Sequence, residues 1–181
     1  MDIYKEKFTR LEREILKYLF MNSGKKSNQR AIAIALKVSP TAIAKSIKNL
    51  DKTNLLEINK DKNSQTFEIG LNFKNEKVFF MKRVGNLDIT YDSGLAEFLF
   101  DELPGATIIL FGSYSFGEDT YNSDIDFAII GAKEKKINLA PFEKILNKKI
   151  IVQFYDGFEK IHKNLRENIL NGIVLKGGIR L

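Results

Sequence analysis

Apolar residues recur at helical spacing through the first fifty positions. Leu11, Ile15, Tyr18 and Leu19 share one face behind Thr9-Arg10-Leu11-Glu12, which fits a capping box, and this helix should end near Asn22-Ser23-Gly24. A second helix over residues 28–36 carries Ile32 and Leu36 inward, with Ser27 as its candidate cap. Only Lys37-Val38 separates it from Ser39-Pro40, a cap followed by proline at the first helical position, which starts a third helix running to about Leu50. The period then changes to two. Residues 55–59 and 66–71, the latter with Phe67, Ile69 and Leu71 on one face, read as strands joined by the polar tip Lys60-Asp61-Lys62-Asn63-Ser64.

Helical spacing returns at residues 76–89, where Val78, Phe79, Met81, Val84 and Leu87 recur despite Gly85. Ser93 is the candidate cap of a further helix over 94–103, ending at Pro104-Gly105. Phe79, Phe80, Tyr91, Phe98 and Phe100 need burial, so this segment is expected to pack on the sheet that follows or on a second copy of the chain. Beyond it come strands at 106–111 and 127–130, a charged loop at 133–136, a short helix at 141–146 and a strand at 150–155. Phe158, Ile161, Leu165 and Ile169 make one face of a helix stopped at Asn171-Gly172, and residues 173–175 form a last strand. His162, the one histidine, lies off that stripe and reads as a surface residue. The pattern is α+β.

With 44% hydrophobic residues the 181-residue chain can build packed cores without staples, and the absence of cysteine excludes disulfides and thiolate metal sites. No signal-peptide layout opens the sequence and no apolar run reaches membrane-spanning length, so a cytoplasmic protein with no membrane partner is expected. Charge is unevenly placed. Residues 1–73 hold 14 Lys and Arg against 8 Asp and Glu, whereas residues 74–181 hold 15 of each, so the net +6 is wholly N-terminal.

Candidate chemistry concentrates in residues 108–130. The strand ending at Phe111 breaks at Gly112-Ser113, where the backbone can turn and offer N–H groups and a hydroxyl to a polyanion. Ten residues beyond Ser113 come Asp124 and Asp126, whose spacing of two directs both carboxylates to one face of a strand, and paired oxygens suit Mg²⁺. A surface turn followed by an Asp-rich strand start is the plainer alternative. Gly-Ser followed by Asp-x-Asp resembles the signature of the DNA polymerase β-like nucleotidyltransferases, in particular their smallest members, over residues 104–181. The resemblance implies that Gly112 and Ser113 hold nucleotide phosphates and that Asp124 and Asp126 bind Mg²⁺ (or Mn²⁺), with a nucleoside triphosphate as substrate or ligand. Two departures stand out. Phe116 occupies the position at which minimal members often carry Arg, and Gln153 lies where a third carboxylate is expected on the 150–155 strand. An amide can ligate metal but cannot serve as a general base near neutral pH. Asp156 has the opposite strand parity, and with Glu159 it fits a capping box for the next helix.

Three helices and a hairpin over residues 8–72 resemble the winged-helix DNA-binding domain of MarR-like regulators. On the third helix Thr41, Ala42, Lys45, Ser46 and Asn49 lie away from the stripe Ile43, Ile47, Leu50; they suit a major groove, and equally an ordinary solvated face. Lys60 and Lys62 at the wing tip would touch phosphate. The expected organisation is a winged helix-turn-helix at 1–73, a helical connector at 74–103 and a small mixed-sheet nucleotidyltransferase fold at 104–181. The expected function is that of a DNA-binding regulator whose second domain binds metal-nucleotide and transfers a nucleotidyl group weakly. The alternative is an active, antitoxin-type nucleotidyltransferase that modifies a protein or nucleic-acid hydroxyl. Double-stranded DNA, a second copy in a homodimer and, by resemblance, a partner toxin protein are the expected partners.

Overall fold

The computed structural model of the chain describes residues 7–60 and 66–179. These form two compact units, Met1–Val78 and Phe79–Leu181. The helices expected as a connector begin at Lys77, so from Phe79 onward they fall in the second unit.

In the first unit, α1 (Arg10–Met21) opens with the expected capping box. The Thr9 hydroxyl accepts from the Glu12 N–H at 3.3 Å while Glu12 accepts from the Thr9 N–H at 2.8 Å. Its buried face is Glu12, Ile15, Leu16, Leu19 and Phe20, with Leu11 and Tyr18 at the margins. α2 (Gln29–Leu36) is capped by Asn28, whose side chain accepts from Ala31 N–H at 2.8 Å, and not by Ser27. Ser27 instead exchanges two backbone hydrogen bonds with Ile69, a long-range bridge that outweighs the local signal. α3 (Pro40–Asp51) starts at the Ser39 cap as expected. β1 (Leu56–Lys60) pairs antiparallel with β2 (Phe67–Leu71), Ile58 facing Ile69. Of the expected inward trio on β2, Ile69 and Leu71 are buried and Phe67 is half exposed.

The second unit begins with α4 (Lys77–Asp92, shared across the boundary) and α5 (Leu95–Glu102). Gly94, not Ser93, precedes α5; the Ser93 hydroxyl donates back to Thr90 O at the end of α4. β3 (Thr107–Phe111), a five-residue α6 (Gly112–Phe116), β4 (Ile125–Ile130), α7 (Ala140–Leu146), β5 (Ile150–Tyr155), α8 (Lys163–Leu170) and β6 (Ile173–Lys176) follow. The sheet order is β5-β4-β3-β6, parallel between β4 and β5 and antiparallel elsewhere. One face of the central strands, Ile109, Phe111, Ala128 and Ile130, packs against Phe158, Ile161 and Ile169, while Ile108, Leu110, Phe127 and Ile129 bury the other.

The expected continuous helix after β5 is a short 3₁₀ turn, Phe158–Lys160, followed by α8. No side chain caps the turn: Asp156 accepts from Lys160 Nζ at 2.6 Å on the surface, so its capping role is corrected. His162 is exposed at the start of α8.

The Thr9 N–H holds the Glu12 carboxyl below its usual pKa, against the upward pull of burial and with help from Asn49. A depressed folded-state pKa contributes stability above the unfolded value that is lost as pH falls through the folded one. Glu12→Gln should therefore be less stable than wild type by about 1 kcal/mol at neutral pH. The gap should close as pH falls through the lowered Glu12 pKa in urea unfolding of the full chain; a gap independent of pH would contradict the assignment.

Candidate functional site

The sheet register builds the site at one end of the second unit. Phe111, the last residue of β3, pairs with Asp126 on β4, and Asp126 lies beside Ile151 on β5. Paired residues point to the same face, so Asp126 shares its face with Ile151 and, one pair along, with Gln153 beside Ala128. Asp124 precedes β4 with the same parity. Its charge, together with burial, raises the Asp126 pKa, burial being the larger cause. Two carboxylates that penalise each other in this way form a donor set that a divalent cation would relieve.

The chain turns from β3 into α6 at Gly112, where φ is +72° and an added Cβ would stand 2.9 Å from Asp126 Oδ2. Glycine is thus required twice, for the left-handed backbone and for the close approach of the turn to the carboxylate. In place of the expected open turn stands one short helix, with Ser113 in its first turn and no side-chain cap at its start. The residues present fit a metal held by Asp124 and Asp126 beside a Gly112-Ser113 backbone cradle. Among the described residues no group of three or more His, Cys, Asp or Glu gathers to hold a metal, here or elsewhere, so the two carboxylates stand without a third. Gln153 carries no charge, and its oxygen accepts a 2.6 Å hydrogen bond from the Tyr155 hydroxyl on the same strand face. Asp156 stands past the end of β5, 71% exposed and paired with Lys160. At the position lacking Arg, the Arg83 guanidinium from α4 lies 5.9 Å from the Phe116 ring centre.

Sequence reasoning missed the cluster beneath this site. Asp119, between the turn and the Asp pair, is fully buried with Lys82 and Lys148. Lys82 Nζ donates to the Asp119 carboxylate and, at 2.8 Å, to its backbone carbonyl. Asn86 Nδ2 donates to the carboxylate at 2.7 Å and to Tyr114 O at 2.8 Å. Lys148 Nζ sits 3.1 Å from the second carboxylate oxygen, an ion-pair contact, and donates to Thr120 O and Ser123 O. The backbone from 119 to 123 is therefore fastened just before Asp124. Burial pushes the Lys82 pKa down despite Asp119, and burial followed by the Asp119 charge pushes that of Tyr114 up. Gly117 completes the attachment: an added Cβ would lie 2.3 Å from Phe79 O and 2.7 Å from Arg83 N, so α4 rests directly on it. The signal available in the sequence was Lys82 and Asn86, polar residues spaced by four on the face of α4 that also carries Val78 and Ile89.

On the first unit, Thr41, Lys45 and Asn49 of α3 are exposed and Ala42 half exposed. Ser46 is 7% exposed and leaves the groove face, because it lies three residues after Ile43 and four before Leu50, on the core side. Asn49 donates to Glu12 at 3.1 Å, which ties it to the α1 cap. Lys60 ends β1 on the surface, and Lys62 lies outside the described residues. A groove of about 440 Å³ beside α3 is lined by Asn28, Gln29, Arg30, Pro40, Thr66 and Phe67, none of them anticipated as interface residues.

The first unit has winged-helix architecture and the second a mixed sheet of nucleotidyltransferase type. Residues 8–69 match the winged helix DNA-binding domain and residues 93–176 match the nucleotidyltransferase domain, so one chain contains both. The second match begins ahead of α5. Similar solved structures include a mutant of MepR from a multidrug-resistant S. aureus clinical isolate (23% identity, 38% of this chain, 50% of that one, TM-score 0.35). Others are a mutant of Lactococcus lactis ZitR (21%, 56%, 66%, 0.44) and an S. aureus MepR-DNA complex (20%, 53%, 78%, 0.40). The chain thus spans half to about two thirds of the first two. No curated protein matches it. No helix among the described residues is long and apolar enough to cross a membrane.

Removing one member of a buried ion cluster costs about 3–5 kcal/mol when it leaves uncompensated charge. Asp119→Ala strands two buried ammonium groups, whereas Lys82→Met leaves Asp119 paired with Lys148. Thermal melts should show a much larger loss for Asp119→Ala; equal losses would contradict this account of the cluster.

Proposed function

We propose that the chain is a DNA-binding regulator whose nucleotidyltransferase-type domain binds a nucleoside triphosphate with Mg²⁺ or Mn²⁺ and transfers its nucleotidyl group slowly if at all. The observation that carries the reading is the Asp124 and Asp126 pair against the Gly112 turn, with Gln153 rather than a carboxylate on the same strand face. When bound, the metal would supply charge neutralisation at the phosphates. Asp124 and Asp126 would hold it, and the Gly112-Ser113 backbone would orient the phosphates. Gln153, engaged by Tyr155, takes no proton from an attacking hydroxyl, and loss of a positioned base typically costs about 10²- to 10⁴-fold in rate. The second reading, an active transferase acting on a protein or nucleic-acid hydroxyl, is favoured by the domain match over residues 93–176. A toxin as acceptor would belong to that reading.

Metal with nucleotide should raise the thermal midpoint of wild type but not of an Asp124→Ala, Asp126→Ala double variant, because a ligand selective for the folded state stabilises it. Identical shifts would remove the site assignment. Gln153→Asp should tighten metal binding and speed label transfer; brisk transfer by wild type, unaffected by Gln153 substitution, would favour the active enzyme.

The N-terminal basic excess and the exposed Lys45 support duplex DNA as the partner of the winged helix. Affinity should fall steeply with salt as counterions are released. Lys45→Ala should weaken binding more than Lys136→Ala in a titration; equal effects would count against α3 as the recognition element. A homodimer is the proposed assembly state.

A further inference from the structure

The register that aligns the two carboxylates also brings a lysine alongside them. The Ile125 N–H donates to Lys149 O at 2.8 Å and Ile125 pairs with Ile150, so Lys149 stands abreast of Asp124 just ahead of β5. Alternation turns Ile150 into the core and leaves Lys149 and Ile151 with the parity of Asp124 and Asp126. The backbone here is held on both sides of Lys149. Lys148 Nζ donates to Thr120 O and Ser123 O, and the Ile150 N–H donates to Glu143 Oε1 at 3.0 Å. The Lys149 side chain is exposed, and among the described residues it has no ion pair or hydrogen bond; the carboxylates of Asp124 and Asp126 have none either. Opposite charges side by side on neighbouring strands gain by pairing. Here the pair is not made, and an ammonium on a fixed backbone stays open beside carboxylates suited to a metal.

The sheet order adds a direction. With β4 between β3 and β5, the Gly112-Ser113 turn and Lys149 flank the Asp pair on opposite sides, two strand spacings or roughly 10 Å apart. A single phosphate on the turn lies across the pair from Lys149. A triphosphate chain that touches the turn extends over β4, where the flexible four-carbon stem of a lysine reaches it. We propose that Lys149 binds the phosphates that a nucleoside triphosphate carries beyond the turn, on the β5 side of the Asp pair, and thereby selects it over a mononucleotide. Lys149 thus supplies, from the opposite side of the site, the cation missing at Phe116. The inference rests on the metal-nucleotide reading of this site.

Isothermal titration of the full chain in Mn²⁺ tests this, with ATP and AMP as probes. Lys149→Ala should weaken ATP about tenfold, the loss of a charge-assisted contact, while AMP, Mn²⁺ alone and the thermal midpoint of the unliganded chain stay as in wild type. Lys149→Arg should retain ATP binding, and Lys144→Ala, at an exposed cation on α7, should leave it unchanged. A wild type that binds no ATP with Mn²⁺ removes the metal-nucleotide reading and this inference with it. ATP binding that is indifferent to Lys149→Ala, or weakened as much by Lys144→Ala, overturns the role of Lys149 and leaves that reading standing. Equal losses for ATP and AMP overturn the selection of the triphosphate. A lowered thermal midpoint of unliganded Lys149→Ala would assign the side chain to the fold and overturn the proposal.

Discussion

The second unit depends on one carboxylate. Asp119 receives Lys82 and Asn86 from α4 and faces Lys148 from the residues just before β5, so a single buried anion joins a helix to two loops. Isolated charges do not survive at zero exposure unless opposite charges and hydrogen bonds replace the water they lose. The fold meets that requirement by drawing the loop between the glycine–serine turn and the Asp pair around the cluster. As a result Asp124 follows directly on a fastened backbone instead of riding a free loop, and positional accuracy of this kind is what two-carboxylate metal binding needs.

Much of this was legible in the sequence where local rules act alone. The Thr9 capping box, the Ser39-Pro40 start and the 150–155 strand all appear where period and cap chemistry put them. Asp126 and Gln153 share a face because strand parity is an unforgiving rule once register is set. Local signals failed where a distant group competed. Ser27 was as good a cap as Asn28, but Ile69 claimed its backbone. Asp156-x-x-Glu159 fitted a capping box, yet Lys160 claimed the Asp156 carboxylate. The Asp119 cluster was beyond reach because Lys82 and Asn86 lie 37 and 33 positions from Asp119 and nothing local announces their meeting. Ser46 illustrates a subtler failure. Polarity alone puts a small hydroxyl on the solvated face, while its spacing from Ile43 and Leu50 assigns it to the core.

The two halves divide the chemistry between them. Basic excess and exposed α3 cations belong to the first, whereas the second balances its charges and spends several of them internally. Phe116 and Gln153 remove a cation and an anion from the arrangement that the nucleotidyltransferase resemblance leads one to expect. On the proposed reading both changes would weaken transfer chemistry more than binding, since Asp124, Asp126 and the Gly112 turn are retained. A domain so altered suits a sensor of nucleotide better than a fast transferase.

The most direct test of that claim is anomalous diffraction from crystals grown with Mn²⁺ and a nucleoside triphosphate. The account predicts a manganese peak at Asp124 and Asp126 and phosphates against the Gly112-Ser113 backbone. Manganese bound elsewhere, or phosphates lying away from that turn, would contradict it.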